Sequence, residues 1–136
     1  MAINLRTITV PHNVEVIKSH PFYRCTNLVE VVLTNHPYFK FENNVLFTRD
    51  GTELIAYLPG SSRTTYSVPY GVEIIRDIGI PACEKLTQVL IPNSVTTIDS
   101  YALQYSSNLQ KVIISGSVQT FGRNVFASCS KLTSFI

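Results

Sequence analysis

Charge is scarce in this chain of 136 residues: Asp, Glu, Lys and Arg together make up 15%. Eleven Lys and Arg against nine Asp and Glu leave a formal charge of +2. There is no basic run of the kind that tracks a nucleic-acid backbone and no acidic tail, so no nucleic-acid partner is expected. No apolar stretch approaches the ~20 residues of a membrane-spanning helix, and no membrane insertion is expected. The opening MAINLRTITVPHNVEVIKSH is broken by Arg6, His12, Glu15 and Lys18 and holds no signal-peptide core. Catalytic signatures are missing as well: G-x-G-x-x-G, G-K-[ST], G-x-S-x-G and H-E-x-x-H do not occur. C-x-x-C is also absent, and His12, His20 and His36 have no ligand spacing. These histidines are expected at the surface, and neither metal, cofactor nor enzymatic activity is expected. What is plentiful is apolar residues, at 45%, the composition of an ordered, core-rich chain long enough for one compact unit.

The apolar residues recur. Leu86, Leu109 and Leu132 are spaced by 23, as are Val68, Ile91 and Ile114, then Val72, Val95 and Val118, then Ile75, Ile98 and Phe121. A further copy lies upstream at Val10, Val14, Ile17, Phe22 and Leu28. Pro11, Pro69 and Pro92 share one column, where Ser115 breaks the pattern, and Cys25, Cys83 and Cys129 share another. The phrase L-x-x-V-x-I suits a short strand with its apolar side chains on one face, ended by a proline that can donate no ladder hydrogen bond. V-x-x-I suits a second short extended segment. The phrase ending in C-x-x-L suits one helical or 3₁₀ turn on the outer side. A single unit cannot bury its own apolar face, but stacked units share a core. The reading is a mostly β, α/β-type leucine-rich-repeat solenoid, right-handed, of about five 23-residue rungs.

From Leu33 to Val68 the interval is 35 instead of 23. FENNVLFTRDGTELIAYL fills it and reads as two strands around Asp50-Gly51, a strong hairpin-turn signal. This hairpin is expected to project from the solenoid or to pack against its side. The expected organisation is one domain, 1–136, with repeat phases 5–28, 28–63 carrying the insertion 37–64, 64–86, 87–109, 110–132 and a partial repeat 133–136. With no cap at either terminus, the chain is expected either to be an excerpt from a longer array or to self-associate through open ends.

The phrases VEVIKSHPFYRCTNL, VLIPNSVTTIDSYALQYSSNL and NNVLFTRDGTELIAYLPG resemble the BspA-like leucine-rich repeats, also described as the Treponema pallidum type. The resemblance runs from Leu5 to the C-terminus. It implies a cell-surface or secreted protein and adhesion to host proteins such as fibronectin or fibrinogen. Gly79 and Ile80-Pro81 depart from the family's usual Ala-Phe, and Tyr105-Ser106 from its residue-plus-Cys.

Several residues are candidates for contact. On the L-x-x-V-x-I strand, the residue between the inward pair reads Thr9, Val32, Ser67, Leu90, Ile113 and Ile136 down the repeats. Polar residues are expected there, yet Leu90 and Ile113 form an apolar strip on adjacent rungs, with Val32 further along. This is either a contact surface or a sheet face covered by a loop. The neighbouring outward column supplies Glu30, Gln88 and Lys111. At the hairpin tip stand Arg49 and Asp50, with Arg63 exposed in GSSRTT, while Tyr38, Phe39, Phe41, Phe47 and Tyr57 are expected mostly to pack the hairpin down. Asp77 and Asp99 are expected to satisfy turn donors. Cys83 and Cys129, two rungs apart, would sit roughly 10 Å from each other at the usual strand spacing, too far to bridge. The three cysteines are expected as free thiols. Protein recognition is therefore the expected function, with a structural spacer and a carbohydrate-binding module as rivals.

Overall fold

The computed structural model describes residues 4–18, 21–22, 25–81 and 84–135. Among these, twelve short strands and no helix stack into a solenoid. The L-x-x-V-x-I phrases form β1 (Thr7–Thr9), β2 (Glu30–Val32), β6 (Thr65–Ser67), β8 (Gln88–Ile91), β10 (Lys111–Ile114) and β12 (Ser134–Phe135). The V-x-x-I phrases form β7 (Ile74–Ile75), β9 (Thr97–Ile98) and β11 (Thr120–Phe121). Like pairs with like, in parallel and at a register of 23: Val112 lies against Val89, and Ile98 against Ile75. The columns found by spacing are the core, with Leu86, Val89, Val95, Ile98, Leu103, Leu109 and Val112 fully buried.

The proline column also forms a turn. The N–H groups of Val14, Val72 and Val95 donate to the carbonyls of Pro11, Pro69 and Pro92 at 3.1–3.2 Å, so each proline opens the corner between two strands. The C-x-x-L phrase makes a matching tight turn, with Leu28 N–H on the Cys25 carbonyl and Leu132 N–H on that of Cys129.

Among the described residues, the third side holds the expected turn as isolated i→i+3 turns, Gln104 N–H to the Tyr101 carbonyl at 3.0 Å and Ala127 N–H to that of Asn124 at 3.1 Å, and not as a helix. Ile78, Tyr101 and Asn124 have φ of 50°, 61° and 54°, and Tyr105 and Ser128 have φ of 64° and 59°. A left-handed residue ends a right-handed turn, and two such columns recur at the repeat spacing. Other backbone groups there are satisfied from rung to rung: Tyr57 N–H to Gly79 O at 2.7 Å, Ile80 to Ala102 at 2.8 Å, Leu103 to Val125 at 3.0 Å.

The insertion also differs from expectation. It is a three-stranded antiparallel meander: β3 (Phe39–Glu42), β4 (Val45–Thr48) and β5 (Glu53–Tyr57). The additional turn is Asn43-Asn44, both with positive φ (52° and 66°), a two-residue hairpin loop that asparagine tolerates. The meander does not project. β5 pairs in parallel with β7 and extends that sheet to six strands. β4 and β5 are buried on both faces: Val45, Phe47, Leu54 and Tyr57 join the core of the later rungs, and Leu46, Ile55 and Ala56, with Leu58 just after β5, join that of Leu28, Val31, Ile8 and Val10. The meander is a shared wall between two cores.

One side chain ties the halves. Arg76 on the β7 side donates through Nε to Glu53 Oε1 at 2.8 Å and through Nη1 to the Ile17 carbonyl at 2.8 Å. Cys25 and Cys129 are free thiols, the latter donating to the Leu103 carbonyl at 3.2 Å, while Cys83 and His20 lie outside the described residues.

Candidate functional site

β6, β8, β10 and β12 form a four-stranded parallel sheet. On it the register aligns Ser67, Leu90 and Ile113, and beside them Thr65, Gln88 and Lys111. Leu90 and Ile113 are partly buried. Together with Ser67, Val68, Pro92 and Ser115 they line an open, mainly apolar recess of about 250 Å3. Val89 and Val112 turn into the core, so alternation along each strand leaves Leu90 and Ile113 on the opposite face.

Glu30 and Val32 stand apart from this face. They belong to the two-stranded sheet β1–β2, which β6 does not join. There Glu30 accepts from Thr7 Oγ1 at 3.4 Å, one rung away. Ile136 lies outside the described residues. The structure therefore gathers Gln88, Leu90, Lys111 and Ile113, and separates them from Glu30 and Val32.

The hairpin-tip residues bond within the chain. Arg49 Nη1 donates to the His36 carbonyl at 2.9 Å. Asp50 Oδ1 accepts from Thr48 Oγ1 at 2.8 Å, Thr52 N at 3.0 Å and Thr52 Oγ1 at 2.8 Å. The Thr52 N–H first, then the two hydroxyls, hold the Asp50 carboxyl below its ordinary value. Of the aromatics, Phe39, Phe47 and Tyr57 are buried; Tyr38 is exposed and donates to Glu15 Oε1 at 3.1 Å, which raises its phenol pKa.

His36 is buried, against the surface position expected of it. Its Nδ1 accepts from Tyr38 N at 3.1 Å, so Nε2 carries the hydrogen bonded to the Pro11 carbonyl at 2.9 Å. The histidine serves as a corner brace between adjacent rungs. Asp99 accepts the Asp77 backbone N–H; burial first, and then the Asp77 carboxylate, raise its pKa. Among the described residues Asp77 Oδ1 is itself buried without a hydrogen-bond partner, so that oxygen does not take the turn donor expected of it. Among the described residues no group of three or more His, Cys, Asp or Glu is placed to hold a metal ion.

Residues 1–49 and 58–136 match the BspA type leucine-rich repeat region, in 6 copies. The chain belongs to the BspA-type leucine-rich repeat family. The unmatched interval contains β5, the strand by which this BspA-type chain joins its meander to the solenoid. Three solved structures are similar. A leucine-rich repeat protein from Eubacterium ventriosum has TM-score 0.71 and 24% identity, over 96% of this chain and 42% of that protein. The pneumococcal vaccine antigen PcpA has TM-score 0.85 and 21% identity, over 96% and 38%. A leucine rich cell surface protein from Faecalibacterium prausnitzii has TM-score 0.85 and 26% identity, over 95% and 35%. The BspA-type chain thus spans well under half the length of each of these proteins. No curated protein sequence matches it.

Proposed function

We propose that this chain is a non-enzymatic protein-binding scaffold, an adhesin-like module of a surface or secreted protein that takes host proteins of the fibronectin or fibrinogen kind. The observation that carries the reading is the apolar strip Leu90–Ile113 on β8 and β10, rimmed by Gln88 and Lys111. Apolar contact at the centre and polar groups at the rim are the ordinary anatomy of a protein interface. A scaffold whose strands are locked rung to rung loses little conformational freedom on binding. The likeness to the Faecalibacterium cell surface protein supports the location.

The test is biolayer interferometry on immobilised fibronectin and fibrinogen, with the parent chain and with Leu90→Asp/Ile113→Asp. Circular dichroism checks that the variant is folded. Saturable binding by the parent that falls at least tenfold in the folded variant is the expected result. Equal binding by both moves the contact away from this face, and no binding by either leaves a spacer role for these rungs.

A further inference from the structure

A recess larger than the one at Leu90 and Ile113, about 430 Å3, lies beside β6. In an uninterrupted array β2 and β6 would be neighbours. Here the Asn43-Asn44 turn is wedged between them, with Asn44 Nδ2 donating to the Val29 carbonyl at 2.9 Å and Arg63 Nη2 to the Asn43 carbonyl at 3.1 Å. β6 therefore ends its sheet and pairs with β8 alone.

In a parallel ladder alternate residues turn both backbone groups to the same neighbour. Gln88 N–H reaches the Thr64 carbonyl and Val68 N–H the Leu90 carbonyl, so Thr64, Tyr66 and Val68 face β8. Thr65 and Ser67 consequently direct their N–H and C=O groups to the other edge, where no strand lies among the described residues. Both residues line the recess.

Two side-chain donors there are also unused. Tyr66 is 5% exposed, yet among the described residues its hydroxyl has no hydrogen-bond partner, and neither has Arg63 Nε. Both side chains line the recess, the guanidinium lying 5.9 Å from the Tyr66 ring centroid. Among the described residues Arg63 forms no ion pair. Burial pushes the Tyr66 phenol far above its ordinary value, so it remains a donor at neutral pH. Buried donors without acceptors are costly and are rare without a reason.

We propose that the free edge of β6 takes an extended peptide segment of a partner protein as an added strand, with a carboxylate side chain of that segment accepting from Arg63 and Tyr66. Open edge groups on alternate residues call for an extended backbone. A cationic donor beside a neutral one calls for a carboxylate; the Glu42 carboxylate that also lines the recess is paired with Lys40 Nζ at 3.1 Å. The peptide residue opposite Tyr66 points inward, as Tyr66 does, and so reaches both donors. Its two neighbours point outward: one continues the column of Ser67, Leu90 and Ile113 and favours an apolar residue, the other continues that of Thr65, Gln88 and Lys111 and favours a polar one. The partner segment thus has a central acidic residue with a polar residue on one side and an apolar one on the other. This deepens the protein-binding reading by naming the form of the partner, and it uses a different edge from the Leu90–Ile113 strip.

The probe is a short synthetic peptide of alternating threonine and valine with a central aspartate. It is titrated into the isotopically labelled chain and followed by amide shifts and hydrogen exchange. The expected result is saturable binding, with protection of the Thr65 and Ser67 amides. Affinity should fall at least about tenfold when the aspartate becomes asparagine, in Arg63→Gln, or with alternate N-methylated amides in the peptide. Ser67→Pro removes one edge N–H that β8 does not use, and should abolish binding while the β6–β8 amides stay protected. Arg63→Gln serves if that variant unfolds. Binding that is indifferent to both variants, protection confined to Leu90 and Ile113, or no binding at millimolar peptide would overturn the proposal. Leu90→Asp/Ile113→Asp should keep the peptide and lose the host protein, so each reading can fail without the other.

Discussion

Arg76→Gln should loosen the joint between the N-terminal rungs and the rest of the array. The guanidinium makes one bond to a carboxylate and one to a carbonyl, both at 2.8 Å, reaching Glu53 on the meander and Ile17 on the N-terminal rung. The side chains of Arg76 and Glu53 are 24% and 32% exposed, between the surface case, worth about 0–1 kcal/mol, and a sheltered charged hydrogen bond, about 1.5–3 kcal/mol. Glutamine keeps much of the packing but cannot span both acceptors. The combined loss is therefore about 2 kcal/mol, or roughly 8 °C in Tm for a chain of this size. Glu53→Gln should cost less, about 1 kcal/mol, because the Glu53 carboxylate also repels Asp99. The double variant should fall short of the sum by about 1 kcal/mol, the coupling of the pair. Urea denaturation gives the free energies, and hydrogen exchange locates the loss. Arg76→Gln should speed exchange at Val14 and Val10, whose N–H groups bond to Pro11 and Val32, and Glu53→Gln should do so far less. A cost below about 0.5 kcal/mol with zero coupling would refute the reasoning, since it would make the tie an exposed contact of no consequence.

The two faces of β5 should be separable by mutation. Leu54→Ala and Ile55→Ala each empty a fully buried site and should cost about 2–5 kcal/mol; by hydrogen exchange the first should loosen Ile75 and Ile98, the second Leu28 and Val31, following the two cores. Loosening spread evenly in both variants would contradict the shared wall. Asp99 has a raised folded-state pKa, so the native state holds a proton that the unfolded chain releases, and stability falls as pH rises upward from the ordinary 3.8 through the folded value. Asp99→Asn should remove that decline in a series of urea midpoints taken across pH; an unchanged slope would show that Asp99 is not its source.

The rungs were legible because 23-residue columns of Leu, Val and Ile can be added up along the chain, and packing obeys them at Leu86, Val95 and Leu109. The third side was not. Its C-x-x-L phrase suits a helical or 3₁₀ turn, but left-handed residues at Ile78, Tyr101 and Asn124 keep it to single turns, and Ile78 and Tyr101 carry no sign of that conformation in their side chains. The insertion was half legible. Asp50-Gly51 announces one turn, while Asn43-Asn44 lacks the glycine that marks such a loop, and the continuous apolar run of β5 reflects burial on both faces instead of alternation. At the candidate site, adjacency of Leu90 and Ile113 follows from spacing alone. The separation of Val32 does not, because it depends on where the Asn43-Asn44 turn comes to rest in three dimensions.

The wall also bears on how the molecule answers a pulling force. Parallel rungs joined by a few ladder bonds peel one after another when tension is applied along the stack, each giving way with little resistance. The meander interrupts that sequence. β4 is held by antiparallel partners on both sides, and β5 is locked to β4 and β7 with side chains gripped in two cores at once. Peeling that starts from either end must stop there until both grips release together. A chain that holds a partner at the β6 edge thus keeps its anchor point beside its strongest mechanical clamp.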